Sequence, residues 1–130
     1  MRFMMLLPAP VEALEKCAIP DKELVLAMHK YNDELKKAGA LLSAEGLHPT
    51  SKGTRLRISG GKPVITDGPF AEAKEVIAGF WIIQANSKEE ALEWAKRCPL
   101  PEHGLIEIRQ IFENHDFPPE LQTKHHNAGA

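Results

Sequence analysis

The apolar positions of the N-terminal third follow first a strand pattern and then a helical one. Residues 2–7 are apolar on both faces, which predicts a strand in the middle of a sheet. Residues 21–38 carry apolar side chains at helical spacing, so they predict an amphipathic helix whose buried face consists of Leu24, Met28, Tyr31 and Leu35. Asp21 is expected to cap its N-terminus, and Gly39 to end it in the left-handed conformation.

The middle of the chain predicts a strand and a hairpin. Residues 41–48 form the second candidate strand. Residues 54–59 alternate strictly between apolar and basic side chains, which is typical of a strand with two different faces. The pair Gly60-Gly61 is a two-residue turn signal, and the chain then returns as a short strand over 62–66.

The last third predicts a buried strand, a helix and a final strand. Residues 77–85 are nearly all apolar, as expected of a strand buried on both faces. Ser87 and Glu90 have capping-box spacing and open a helix whose buried face is expected to hold Ala91, Leu92, Ala95 and Cys98. Residues 105–112 form the last strand, with one face made of Ile106, Ile108 and Phe112.

This order of elements predicts an α+β fold. Without the hairpin it is a ferredoxin-like βαββαβ unit, so the hairpin is an insertion. Two helices cover only one face of a sheet, yet residues 77–85 are too apolar to leave either face in water. We therefore expect a homodimer whose two sheets pack face to face. The domain is predicted over 1–112, with 113–130 as a tail that is loose or packed on the dimer partner.

Composition narrows the class of protein. The 130 residues are 43% hydrophobic and 26% charged, as in an average soluble domain, and the net charge is −2. The absence of a basic excess argues against direct nucleic-acid binding, and no apolar run reaches the roughly 18–20 residues needed to span a bilayer. Cys17 and Cys98 lie far apart outside any CxxC pattern, which favours a reduced, cytoplasmic setting.

One segment is distinctive enough to indicate a family. Residues 67–75 read DGPFAEAKE and are followed by Ile77-Ala78-Gly79-Phe80. This stretch resembles the DGPF signature of the YciI-like (YCII-related) family. Further matches are Ala38-Gly39, Ala44-Glu45-Gly46-Leu47, Glu90-Ala91-Leu92-Glu93-Trp94-Ala95 and Glu107-Ile108-Arg109. The resemblance covers about residues 1–113 and implies a dimeric α/β barrel, in agreement with the dimer predicted from the apolar pattern.

The resemblance does not specify a reaction. Most members of that family are small bacterial proteins of unassigned role, and some occur beside or joined to sigma-factor-type transcription regulators. Relatives in the wider family include an enzyme that acts on chlorinated ring-cleavage products. Members have been proposed to use a His–Asp pair in a cleft. The helical histidine of shorter relatives aligns with Met28 here, and His29 is one residue away.

Asp67 and His48 are the candidate acid–base groups. Asp67 precedes Gly68 and the rigid Pro69 at the end of a predicted strand, where partial desolvation would raise a carboxyl pKa and suit general acid–base catalysis. The alternative is ordinary turn chemistry, in which the side chain binds nearby backbone. His48 can pair with Asp67, which would orient the imidazole ring and set its tautomer, or it is an ordinary strand-end histidine in a loop.

Arg55, Arg57 and Arg109 are the candidate substrate-binding cations. All three are predicted on the polar side of their strands, where a buried guanidinium needs a carboxylate or an anionic ligand. The alternatives are a solvated hairpin for the first two and an ion pair with Glu107 for Arg109. Glu72, Lys74 and Glu75 are expected to frame the mouth of the cleft, or to form local ion pairs in a solvated loop.

No metal or cofactor site is predicted. His115, His125 and His126 lack ligands at metal-site spacing, and the chain contains no glycine-rich phosphate loop. The sequence thus favours a cofactor-free enzyme that isomerises a small polar or anionic organic molecule, or eliminates a group from it, in a dimer cleft. The alternative is a non-catalytic ligand-binding module associated with a sigma-factor-type regulator.

Overall fold

The computed structural model of the chain describes residues 1–11, 21–70 and 72–123. Its main elements, in chain order, are β1 (Arg2–Pro10), α1 (Lys22–Lys37), β2 (Leu41–Gly46), β3 (Thr54–Ser59), β4 (Lys62–Asp67), β5 (Glu75–Gln84), α2 (Lys88–Lys96) and β6 (Glu107–Gln110). Single 3₁₀ turns lie at Thr50–Lys52, Asn114–Asp116 and Pro119–Leu121.

Within the described residues the strands form one sheet and one separate hairpin. The sheet has the order β2-β5-β1-β6, and each neighbouring pair is antiparallel. The hairpin consists of β3 and β4, with both glycines of the Gly60-Gly61 turn at positive φ. The predicted α+β class is confirmed, and the topology is consistent with a ferredoxin-like unit carrying an inserted hairpin.

Both helices lie on one face of the sheet and bury the core there. The inward side chains of the two central strands are Phe3 and Met5 of β1 and Trp81 and Ile83 of β5. Tyr31 of α1 packs edge-on against Trp81, with ring centroids 5.8 Å apart. Its buried hydroxyl donates a hydrogen bond to the Trp94 carbonyl (2.6 Å), which satisfies a polar group in the core.

The other face of the sheet carries apolar side chains that no described helix covers. Met4 lies opposite Ile82 and Leu6 opposite Phe80 in the antiparallel register, and all four are partly exposed. We call these four residues the uncovered sheet face. Because side chains alternate between faces, this is the opposite side of the strands that bury Phe3 and Trp81.

Several local predictions about the helices are corrected. The Asp21 side chain makes no cap hydrogen bond. Ser87 does accept the Glu90 N–H, but the Glu90 carboxylate accepts the N–H of Asn86 rather than that of Ser87. Leu92 is 44% exposed, because it follows buried Ala91 by one residue and so lies about 100° around the helix.

The strand boundaries also differ from the predicted ones. β1 continues through Pro10 after a bulge between Leu7 and Pro8, and β2 ends at Gly46, before His48. β6 ends at Gln110, so Phe112 leaves the alternating pattern. It is 69% exposed and packs against Phe117 instead of joining the core face.

The segment after β6 is attached to β1 at its start. The Ile111 N–H donates to the Arg2 carbonyl (2.9 Å). The Arg2 guanidinium donates three hydrogen bonds to the Glu113 carboxylate, from Nε to Oε2 (3.0 Å) and to Oε1 (3.2 Å) and from Nη2 to Oε1 (2.9 Å). These hydrogen bonds lower the pKa of Glu113 below its ordinary value. Residues 124–130, with His125 and His126, lie outside the described part of the chain.

Candidate functional site

The DGPF segment holds the base of the hairpin against the 3₁₀ turn. The Gly68 N–H donates to the Gly53 carbonyl (2.9 Å), and the Phe70 N–H donates to Thr50 Oγ1 (3.2 Å). A Cβ atom on Gly68 would lie 1.7 Å from the Thr50 carbonyl oxygen, so no other residue fits there without backbone movement. The Gly68-Pro69 peptide bond is cis. The glycine and the buried phenylalanine of the signature therefore have structural roles.

A cleft of about 390 Å³ opens beside this base. We call it the small cleft. Arg55 lines it, and its guanidinium carbon lies 3.9 Å from the ring centroid of Phe70. The same guanidinium donates from Nη1 to Glu72 Oε1 (2.9 Å). The structure thus brings Arg55 and Glu72 together, and the cation already has a carboxylate and an aromatic ring as partners.

A larger cavity, of about 890 Å³, lies at the end of the sheet. We call it the large cavity. Its described walls come from the N-terminal half of α1, the ends of β1 and β2, the start of β5 and the loop 100–105. The walls are mainly apolar, and this size suits a small organic ligand. The polar side chains among the described lining residues are His29, Asn32, Glu45, His48, Glu75, Glu102 and His103.

Two facing glycines help to create this space. Gly46 of β2 lies opposite Gly79 of β5 in the antiparallel register, and both line the large cavity. A Cβ atom on Gly46 would meet no atom within 4 Å. One on Gly79 would lie 2.9 Å from the Glu45 carbonyl oxygen. The close approach of the strands requires glycine at position 79, whereas the space at position 46 is open.

The two hollows meet at the segment that follows β2. Leu47, His48, Pro49 and Glu75 line both of them. The Leu47 N–H donates to the Ala78 carbonyl (2.8 Å), and Pro49 is buried, so the backbone on either side of His48 is held in place. His48 is exposed to solvent in the chain by itself. Its imidazole is therefore accessible to a molecule bound in either hollow.

Asp67 has a different position from the one expected of a cleft acid. It is the last residue of β4, is exposed, and is not among the described residues that line either hollow. Its Oδ1 accepts a hydrogen bond from Thr54 Oγ1 (3.1 Å), directly opposite in the hairpin. The structure therefore brings Thr54, rather than His48, to this carboxylate. Thr54 itself lines the small cleft.

The predicted substrate-binding arginines do not converge. Arg57 is exposed on the hairpin, opposite Val64. Arg109 lies on β6 next to the uncovered sheet face, with its Nε 4.0 Å from Glu107 Oε2. The side chain of Lys74 is exposed, and its carbonyl accepts the Val11 N–H (3.3 Å). Of the predicted cations, Arg55 alone lies among the described lining residues of a hollow.

Sequence reasoning missed several residues of the large cavity. His29 of α1 lines it, and so do His103 and Glu45. His103 comes from a loop and has a positive φ of 66°. No spacing in the sequence relates these residues to one another, because they come from α1, β2 and the loop before β6. The chemical character of the cavity emerges only from the fold.

Among the described residues, neither the metal-ligating side chains nor Cys98 form a functional site. No three or more His, Cys, Asp or Glu side chains in residues 1–11, 21–70 and 72–123 are arranged to hold a metal ion. Cys98 is buried against the core, and burial raises the pKa of its thiol to about 12. A thiol held protonated in this way is a poor nucleophile. Cys17 lies outside the described residues.

Comparison with known proteins decides the family. The YCII-related domain matches residues 1–115 of the chain. The chain belongs to the YCII-related family. It is also similar to an uncharacterised protein of Rhizobium meliloti (strain 1021), with 36% identity over 92 residues that cover 69% of this chain and 71% of the relative. The family predicted from the DGPF segment is thereby confirmed. In the described part of this YCII-related protein, no helix is long and apolar enough to cross a membrane.

Proposed function

We propose that this YCII-related protein binds a small polar organic molecule in the large cavity and transfers a proton on it without a cofactor. The observation that carries the proposal is the position of His48 at the junction of the large cavity and the small cleft. Imidazole is the side chain best suited to give and take protons near neutral pH. The reaction class that fits is isomerisation or elimination.

Glu75 and Asp67 would have different parts in this proposal. Glu75 lines both hollows, as His48 does, so its carboxylate is the second candidate for contact with the bound molecule. Asp67 would act through Thr54, which lines the small cleft. The Thr54 hydroxyl donates a hydrogen bond to the Asp67 carboxylate (3.1 Å). Asp67 is then a positioning residue. Its predicted role as the acid or base would pass to His48.

The proposal includes a homodimer formed through the uncovered sheet face, as in a dimeric α/β barrel. Burying the partly exposed side chains of Met4, Leu6, Phe80 and Ile82 is favourable by roughly 25 cal/mol per Å² of apolar surface. Phe80 is also among the described residues of the large cavity lining, but its side chain lies on the uncovered sheet face, on the other side of β5 from Trp81.

A non-catalytic binding module is the second candidate function. One observation favours it: each ionisable side chain in the described lining of the large cavity is exposed in the single chain. Acid–base groups in enzymes are often desolvated. In this alternative the cavity holds a ligand without converting it, and the domain reports to a sigma-factor-type regulator.

Substitution of His48 separates the two functions once a converted compound is found. The change His48→Gln is expected to lower kcat by roughly 10²- to 10⁴-fold, the usual contribution of a general acid or base, while the ligand still binds. Asp67→Asn, which can still accept the Thr54 hydrogen bond, serves as the matched control and is expected to retain most activity. Unchanged kcat in His48→Gln would overturn the catalytic proposal. Tight binding of a ligand that the wild-type protein never converts would establish the binding module instead.

A further inference from the structure

We infer that Glu107 and Arg109 of β6 form salt bridges with the same two residues of a second copy of the chain, and that these bridges fix how the two sheets face each other. The inference rests on the homodimer included in the proposed function. It adds which edges of the two sheets meet and which side chains select that arrangement. Arg109 then serves assembly rather than the substrate binding expected of it from the sequence.

The first observation is the strand register, which places two rows of four side chains on the uncovered side of the sheet. Each row takes one side chain from each strand, and residues opposite each other in the register point to the same face. In the order β2, β5, β1 and β6, the first row is Ser43, Ile82, Met4 and Arg109, and the second is Glu45, Phe80, Leu6 and Glu107. The uncovered sheet face is thus flanked by polar side chains at both edges, and the β6 edge carries one charge of each sign.

The second observation is that the two charged groups of the β6 edge are accessible and only loosely paired. Arg109 Nε lies 4.0 Å from Glu107 Oε2, and the two side chains are 74% and 58% exposed. An exposed pair of this kind contributes little within one chain. Arg2, which lies beyond the first row on the same side of β1, is by contrast held by Glu113 at 2.9 Å. Glu107 and Arg109 can therefore each take a second partner without breaking a strong contact.

The third observation is how a twofold axis would bring the charges of two copies together. An axis through the centre of the uncovered sheet face covers its apolar side chains in both copies and allows two aligned packings of the sheets. If the axis runs along the strands, β2 faces β6, and Glu45 meets the partner's Glu107. If it runs across the strands, β6 faces β6, and Glu107 meets the partner's Arg109. Because like charges facing each other are costly, the second arrangement is favoured.

The favoured arrangement is self-complementary. Each copy supplies one carboxylate and one guanidinium, so four charges of alternating sign surround the axis where the two β6 strands meet. Every charge then has an opposite charge beside it on its own strand and another across the interface. The long side chains of Glu107 and Arg109 can together span the roughly 10 Å between packed sheets. A network of this kind contributes more than an isolated exposed pair, and it specifies the register of the two sheets.

Charge reversal tests the inference, because the twofold axis repeats each substitution at two places in the interface. Arg109→Glu leaves only carboxylates at positions 107 and 109 of both copies, and Glu107→Arg leaves only guanidinium groups. Each is expected to raise the Kd of the dimer by roughly 10- to 100-fold, measured by sedimentation equilibrium of the full chain. The matched controls, Lys96→Glu and Glu93→Lys, reverse the charges of an exposed pair on α2 and are expected to leave the Kd unchanged.

Two rescue experiments separate a lost salt bridge from a folding defect. The double variant, with both Glu107→Arg and Arg109→Glu, exchanges the two charges and is expected to dimerise with a Kd close to that of the wild type. An equimolar mixture of the two single variants is expected to form heterodimers at concentrations where each alone is monomeric, because their β6 edges then have opposite charges. Raising the salt concentration is expected to weaken association in the mixture. Recovery in the mixture would show that both single variants are folded.

The outcomes distinguish this inference from the proposed function. A tighter dimer in Glu107→Arg would indicate that position 107 faces the partner's Glu45, which overturns the inference and leaves the homodimer. An unchanged Kd in both single variants, or a mixture that stays monomeric, would overturn it in the same way. A monomeric wild type would overturn the inference and the homodimer together. Weakening by both reversals, with recovery in the mixture and in the double variant, supports both.

Discussion

Thr54 Oγ1 donates a hydrogen bond to Asp67 Oδ1 (3.1 Å) across the base of the β3–β4 hairpin. The two residues are direct partners in the antiparallel register, 13 positions apart in the chain. This hydrogen bond engages the aspartate of the DGPF segment and links the two strands at the base of the hairpin. The carboxylate is thereby held at the base of the hairpin, outside the described lining of both hollows.

Asp67→Ala is predicted to lower the free energy of unfolding by about 0.5–1.5 kcal/mol, the net contribution of one hydrogen bond. Asp67→Asn is predicted to change it by less, because the amide oxygen still accepts from Thr54. Urea denaturation of the two variants checks this difference. An equal loss in both would show that the negative charge, and not the hydrogen bond, stabilises the base of the hairpin.

Gly68→Ala is predicted to destabilise the protein by roughly 3 kcal/mol or more, as expected when a close backbone approach must be opened. The added Cβ would lie 1.7 Å from the Thr50 carbonyl oxygen. Gly46→Ala is the matched control, since its Cβ meets no atom within 4 Å. Thermal unfolding of the two variants compares them. Similar melting temperatures would contradict the close packing of the DGPF segment against the 3₁₀ turn.

Much of the fold is predictable because its signals are local. The alternation over Thr54–Ser59 and the Gly60-Gly61 turn give the hairpin with its observed start. The helical spacing of Tyr31 and Leu35 gives the buried face of α1. Strand ends such as Pro10 and Gly46 were missed because pairing with β5, a long-range event, determines where β1 and β2 stop.

The site is less predictable than the fold. The DGPF segment identifies the family, yet its Asp67 and Phe70 have packing and hydrogen-bonding partners that the sequence does not name. His48 was identified because it ends the strand predicted over 41–48. His29 and His103 join it in the large cavity only through the tertiary arrangement of α1 and the loop before β6. No pattern along the chain predicts that these three histidines line the same cavity.

The ion pair between Arg2 and Glu113 predicts a pH dependence of stability. Hydrogen bonds from Arg2 lower the pKa of Glu113 in the folded state. The pair therefore stabilises the fold fully above the unfolded pKa of about 4.3, and this stabilisation is lost as the pH falls through the lowered folded pKa. Glu113→Gln is predicted to reduce the free energy of unfolding by about 1–2 kcal/mol at pH 7.

Denaturation as a function of pH tests that pair. The difference between wild type and Glu113→Gln is predicted to shrink as the pH is lowered below the unfolded pKa of about 4.3. Glu93→Gln, whose carboxylate is exposed and paired only with Lys96, is the control and is predicted to show little effect at any pH. A difference for Glu113→Gln that stays constant down to acid pH would contradict the account.

The uncovered sheet face predicts the state of association. The wild-type chain of 14.4 kDa is predicted to sediment at twice that mass. Ile82→Glu places a charge in the middle of this face, outside the described lining of the large cavity, and is predicted to yield monomers. Leu26→Glu, on an exposed position of α1, is predicted to remain dimeric. Sedimentation of the wild-type protein as a stable monomer in dilute solution would contradict the predicted homodimer.

The claim on which the rest depends is that a molecule binds in the large cavity next to His48. A crystal structure determined after soaking with a mixture of small cationic, neutral and anionic organic molecules tests it most directly. We predict electron density in the large cavity, with a polar atom of the bound molecule within hydrogen-bond distance of the His48 imidazole and its body against Trp81. Density for a bound molecule at some other surface, with only water in this cavity, would contradict the account.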